Sequence, residues 1–139
     1  MPQYPLIDAN VFLRHITQDN QVMAQKAQAF FKDLESNKQT ATTCEAIIIE
    51  VVYVLSSKQL YNISRADIAK HFGNLIGLAG LRLQYKQLYL DALATYSRTN
   101  LDIADILLAM HARRNGSNTV VSFDQDFDNK LPGITRHEP

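Results

Sequence analysis

The chain has 139 residues, 46% hydrophobic and 20% charged, the size and balance of one ordinary globular domain able to bury a core. Fourteen Lys and Arg offset fourteen Asp and Glu, so no overall field draws the protein to nucleic acid or membrane. A polyanion would have to be held by local patches or by bound metal.

A lone cysteine, Cys44, excludes an internal disulfide and suits a reducing compartment. The start carries no signal-peptide pattern, and no apolar run approaches the roughly 18 residues of a membrane span. A cytoplasmic location is expected.

Residues 4–8, in YPLIDANVFL, form a first predicted strand that runs straight into an acid, Asp8. Asn10 is placed to cap a helix at about 11–17. Asp19 or Asn20 would cap a second at about 21–36, with Ala24, Ala27, Phe30, Phe31 and Leu34 as its apolar stripe. QTATTC, at 39–44, has the β-branched character of a second short strand. EAIIIEVVYVLSSKQL, at 45–60, is rich in β-branched residues but long for a strand. Thr43 followed by Glu45 and Ala46 favours a helix there, buried on most sides.

Further helices are expected at 64–78, capped by Ser64 with Asp67 in its first turn, at 86–98, and at about 103–114. Asn115 and Gly116 form the stop signal of the last. NTVVSF, at 118–123, reads as a buried strand, and 134–136 as one more. No stretch is rich enough in Pro, Gly or Ser to be a linker and no repeat shows, so 1–139 is expected to be one domain. Strands separated by helices point to parallel crossovers and an α/β fold, in which ligands bind at the carboxyl ends of the strands. Asp8 and Asp124 both stand at such ends.

Four acids have apolar surroundings: Asp8 in LIDAN, Glu50 in IIIEVV, Asp105 in DIADILLAM and Asp124 in SFDQDF. Each has an ordinary structural reading. Asp8 can begin a helix, Glu50 can mark the polar face of a buried helix, Asp105 can favour a helix N-terminus, and Asp124 can open a turn. Glu50 is the most telling, because burying its charge among Ile, Val and Leu is costly without compensation. Asp102 lies about one turn before Asp105 and can point the same way. Four acids gathered at one sheet edge would repel one another unless a divalent cation binds among them. Hard oxygens suit Mg²⁺ or Mn²⁺. Zinc fits poorly, since Cys44 is alone and His15, His71, His111 and His137 lack ligand spacing. His111 reads as a partly buried structural histidine.

LIDANVFL, the acid within EAIIIEVVYVL, LDIADILLAMHA and VVSFDQDF stand in the order seen in PIN domains. The chain most resembles the small single-domain PIN ribonucleases that act as VapC-type toxins of toxin–antitoxin pairs. The likeness runs from Tyr4 to about Leu131. It implies a central parallel sheet of four to five strands flanked by helices. It also implies that Asp8, Glu50, Asp105 and Asp124 hold Mg²⁺ or Mn²⁺ and carry the catalysis. Asn10 and Ser122 fall where the family has small polar residues that orient the carboxylates, and Asp102 and Asp126 are supporting candidates. Ser122 replaces the family's Thr and keeps its hydroxyl.

The activity implied is metal-dependent hydrolysis of RNA phosphodiester bonds, with an antitoxin protein as partner. The alternative is a PIN fold that binds RNA or protein without cutting. Apolar helices 21–36 and 45–60 could spare a face for a homodimer, although core packing explains them nearly as well. RNA would be held by local cations such as Arg14, Lys58, Arg65, Arg113 or Arg114. Aspartyl phosphotransferases need a second Asp where Asn10 stands, and receiver domains need an acidic pair after the first strand; neither pattern is present.

Overall fold

The computed structural model describes residues 3–128 and 130–139. Its first helix, α1 (Ala9–Thr17), begins immediately after Asp8, whose extended backbone ends the opening segment. The sequence placed that start two residues later, at Asn10. Helix α2 (Gln21–Glu35) is capped by Asn20, whose side chain accepts the Met23 N–H at 3.0 Å. It buries Ala24, Ala27, Phe31 and Leu34, the 3–4 spacing that turns one face inward.

Helices α3 (Glu45–Ser56), α4 (Arg65–Ile76), α5 (Lys86–Arg98) and α6 (Ile103–Arg114) follow. Ser64 caps α4 as expected, accepting the Asp67 N–H at 3.2 Å. The core is organised around Phe12, which stacks on Phe31 at 5.5 Å between ring centroids and meets the edge of Phe72 at 5.2 Å. Three rings from α1, α2 and α4 thus lock these helices together.

Helix α3 departs from the expectation of burial on most sides. It buries Ile48, Val51, Val52 and Leu55 on one face, and leaves Glu50 and Tyr53 exposed on the other. The cost of burying Glu50 is therefore not what singles it out. Its β-branched residues serve a one-sided stripe, which a helix of twelve residues accommodates.

Strands β1 (Thr119–Val121) and β2 (Thr135–His137) pair in parallel, with Val120 opposite Arg136. The earlier extended segments meet as isolated parallel bridges, Leu6 with Thr42 and Ala41 with Leu81. The Ile7 N–H donates to the Thr42 carbonyl at 2.8 Å, and the Arg82 N–H to the Ala41 carbonyl at 2.7 Å. The fold is α/β, but in place of the expected central sheet of four to five strands the described residues form one two-stranded parallel ladder, β1–β2, and these two isolated bridges. The segment at Leu81 was not legible as extended, being short and preceded by glycine. Thr43 is buried, and its hydroxyl donates to the Ile7 carbonyl at 3.1 Å. This bond ties two parallel segments at their carboxyl ends, so Asp8 and Cys44 leave the sheet on the same edge.

Two contacts fix the lower half. Arg65 on α4 lies 3.6 Å over the Tyr96 ring, donates to the Tyr96 carbonyl at 2.7 Å and also donates to the Leu101 carbonyl. It clamps α4 to the link between α5 and α6 just before the acids of α6. Gly80 donates its N–H to the Leu34 carbonyl at 2.8 Å. A Cβ at that position would meet the Gln39 and Leu34 carbonyl oxygens at 2.5 and 2.6 Å. Backbone on both sides cannot give way easily, so Gly80→Ala should lower the unfolding free energy by about 3 kcal/mol. Urea denaturation measures this; a loss below about 0.5 kcal/mol would show that the approach relaxes freely.

Candidate functional site

Helix α6 starts with two acids in different roles. Asp102 is the N-cap, and its Oδ1 accepts the Ala104 N–H at 3.0 Å. Asp105 lies in the first turn and is half-buried. Its acid is weakened: burial raises its pKa, and the neighbouring charges of Asp102, Asp124 and Asp126 raise it further. That shift has a structural meaning. The loop after β1 delivers its carboxylates to the N-terminus of α6.

The loop is built by its own side chains. Ser122 accepts the Asp124 N–H at 2.9 Å, and Asp124 accepts the Asp126 N–H at 2.8 Å, opening a 3₁₀ turn over Gln125–Phe127. Phe127 anchors that turn in the core. Ser122 thus positions the backbone of Asp124, consistent with a supporting part, while Asp126 is paired with Lys130 at 3.0 Å.

The level of Glu50 relative to these acids follows from helix register. Tyr53 on α3 donates its hydroxyl to Asp102 Oδ1 at 2.8 Å. At the other end of the same pair of helices, Glu45 Oε1 is 2.6 Å from His111 Nε2. Eight residues separate 45 from 53 and nine separate 102 from 111, about 12 and 14 Å of helix at 1.5 Å per residue. The helices therefore run antiparallel in step. Glu50 is one turn before Tyr53 and Asp105 one turn after Asp102, so the two acids lie at the same level along the seam, although Glu50 is not among the charges that shift Asp105. Tyr53, which the sequence reading passed over, is the residue that makes the connection. Burial and the charges of Asp102 and Asp105 push its phenol up to about 12. The available signal was its spacing of one turn from Glu50.

Asp8 is exposed at the carboxyl end of the first segment, in the N-cap position of α1 with no capping bond from its side chain. Its carboxylate is not consumed by helix initiation. Asn10, exposed in the first turn of α1, lines with Asp8 a largely apolar groove of about 520 Å³ beside Leu6, Met23 and Phe30.

Among the described residues, no three Asp, Glu, His or Cys side chains converge as a ready-made metal cage. Asp105 is nevertheless shifted by three other carboxylates, and no base relieves it. Carboxylate oxygens under mutual repulsion are the donor chemistry a hard divalent cation satisfies. The residues fit such an ion in kind.

The candidate cations divide. Arg14 pairs with Asp19 at 2.8 Å, Arg65 is the structural clamp, and Arg113 donates to the Pro132 carbonyl. Lys58 is exposed after α3. Arg114 lies 4.3 Å over the Tyr85 ring and donates to His111 Nδ1 at 3.4 Å. His111 is half-buried, as expected, but paired with Glu45.

The family model for the PIN domain matches residues 6–130. The chain belongs to the PIN domain family. It is also similar to a protein named VapC ribonuclease from Aquifex aeolicus (strain VF5), with 25% identity over 122 residues, 88% of each chain. The PIN match contains Asp8, Glu50, Asp105 and Asp124, and β2 lies beyond it. No helix among the described residues is long and apolar enough to cross a membrane.

The Asp105 shift has a defined sign. A carboxyl whose folded pKa is raised binds more protons folded than unfolded, so its contribution falls as pH rises from its ordinary value through its folded one. Asp105→Asn should therefore raise the melting temperature of chelator-treated protein at pH 7. The gain should disappear at acid pH, where Asp105 is protonated anyway. Scanning calorimetry across pH checks both arms; a variant less stable at pH 7 would refute the repulsion.

Proposed function

We propose that this single PIN domain is an endoribonuclease that hydrolyses RNA phosphodiester bonds with Mg²⁺ or Mn²⁺, and is the toxin of a toxin–antitoxin pair. The observation that carries the reading is the perturbed Asp105, surrounded by Asp102, Asp124 and Asp126 and level with Glu50 across the α3–α6 seam. Membership of the PIN family and similarity to a protein named VapC ribonuclease support it.

Asp8, Glu50, Asp105 and Asp124 would hold the metal. A divalent ion, when bound, supplies positive charge at the attacking and leaving oxygens of the displacement. The chain's own residues have distinct tasks. Asp105 must ionise despite its neighbours, and lowering the repulsion among them is what makes that favourable. Glu50, on the open face of α3, is placed to bind the ion or to orient the attacking water. Ser122 fixes the Asp124 backbone, Asn10 stands beside Asp8, and Asp102 holds the α6 terminus while accepting from Tyr53. Asp126, salted to Lys130, supplies charge at the margin.

The partners that follow are an antitoxin protein whose segment covers the acids, and a second copy of the chain in a homodimer, in the cytoplasm. Purified protein should cleave single-stranded RNA in Mg²⁺ or Mn²⁺ and stop when chelator is added. Asp8→Asn should lower the rate by at least about 100-fold with the fold intact by circular dichroism. Cleavage that persists in chelator would sink the metal mechanism. RNA binding without any cleavage would instead make the domain a non-catalytic RNA-binding module.

A further inference from the structure

The acid end of the α3–α6 seam has a counterpart at its other end. There, just after the Leu6–Thr42 bridge, Thr42, Thr43, Cys44, Glu45, Tyr85 and His111 line a cavity of about 460 Å³. Glu45 is held by two donors or partners on one oxygen: the Tyr89 hydroxyl donates to Oε1 at 3.2 Å and His111 Nε2 lies 2.6 Å from it. The carboxylate is thereby fixed in orientation, and its lone pairs exceed what those two contacts use.

Tyr85 forms the wall between this cavity and a neighbouring one lined by Arg114. It is 42% exposed. Its backbone is left-handed, at φ 59° and ψ 32°, a conformation unfavourable for a bulky aromatic residue. Arg114 holds it there, with its guanidinium 4.3 Å over the ring and a bond to the hydroxyl at 3.3 Å. A rigid, half-exposed aromatic ring backed by a guanidinium, beside a fixed carboxylate, is the equipment with which proteins hold an unpaired base: a stacking plane and an edge acceptor. Strain of this kind persists where the surroundings over-determine it, as at ligand clamps.

We propose that this cavity is a nucleobase subsite, in which one unpaired base of the RNA stacks on Tyr85 and gives an exocyclic amino hydrogen to Glu45. The proposal rests on the ribonuclease reading and deepens it. His111 lies six residues after Asp105, about 9 Å along α6, so one RNA strand can reach both the acids and the cavity. Guanine, adenine and cytosine carry the amino group; uracil does not, and is disfavoured at that position. Arg114, whose charge faces the ring, adds attraction for the adjoining phosphate.

The test is fluorescence anisotropy of short labelled single-stranded RNAs, each with one abasic position in turn, in chelator and again in Ca²⁺. In the wild type, one position should respond, with loss of its base weakening binding about 10-fold. Tyr85→Leu should bind the intact RNA as weakly as the wild type binds that abasic one, while Tyr85→Phe keeps the difference. Glu45→Gln should keep the stacking gain and lose most of the preference against uracil.

A profile in which no position responds, or one that Tyr85→Leu leaves unchanged, overturns the subsite. The two readings fail separately. If RNA is not cleaved in Mg²⁺ yet the abasic profile and its Tyr85 dependence hold, the ribonuclease reading falls and the subsite stands. If cleavage proceeds normally with a flat profile, the subsite falls and the ribonuclease stands.

Discussion

The antiparallel seam between α3 and α6 is the constraint on which the rest of the molecule depends. It is pinned at one end by Tyr53 on Asp102 and at the other by Glu45 on His111. Both pins join residues far apart in sequence, so neither arises from local propensity. Together they set the register of two helices to within one turn, and register alone places Glu50 level with Asp105 along the seam. A helix slipped by one residue would rotate its side chains by about 100° and take one of those acids out of that level. The polar contacts thus supply orientation, while the apolar faces behind them supply most of the association energy.

That arrangement gathers like charges, and the rest of the fold absorbs the consequence. Asp102, Asp124 and Asp126 all disfavour ionisation of Asp105. Against this stand the ring cluster of Phe12, Phe31 and Phe72 and the Gly80 backbone contact, built from other segments, and the Arg65 clamp that fixes the chain just before Asp102. Stability is concentrated in one region and a strained electrostatic site is tolerated in another, which is how functional sites generally persist.

Much of this was legible in the sequence because it rests on local rules. Helical periodicity placed all six helices near their observed limits, and Asn20 and Ser64 cap as their side chains predict. The order of strands and helices gave the α/β class. The rest depends on contacts between distant segments. Leu81 is extended only because Ala41 pairs with it, and no alternation of its own announces that. Glu50 drew notice for apolar neighbours in sequence, yet on a helix those neighbours turn to the other face. Tyr53 drew no attention, since nothing nearby reveals a hydroxyl bound to Asp102, 49 residues away. Arg65 looked like a surface cation for the same reason: its partners, the Tyr96 ring and carbonyl, come from another helix.

The proposed RNA substrate is a polyanion, and a protein with no net charge must account for holding it. Of the cations expected to hold RNA, Arg14 pairs with Asp19, Arg65 lies over the Tyr96 ring and Arg113 donates to a carbonyl. Over the whole chain Lys and Arg are matched by as many Asp and Glu, so the proposed RNA affinity would not come chiefly from a net basic surface. Contacts of shorter range would have to replace it: in the proposed reading, divalent charge at the acids and stacking at Tyr85. Such contacts discriminate among nucleotides, where a basic patch does not. Electroneutrality therefore weighs toward a selective ligand site rather than a general one. In the proposed reading, the acids around Asp105 and the aromatic wall at Tyr85 are two halves of one solution, linked by α6, which carries Asp105 near its start and Arg114, over the Tyr85 ring, at its end.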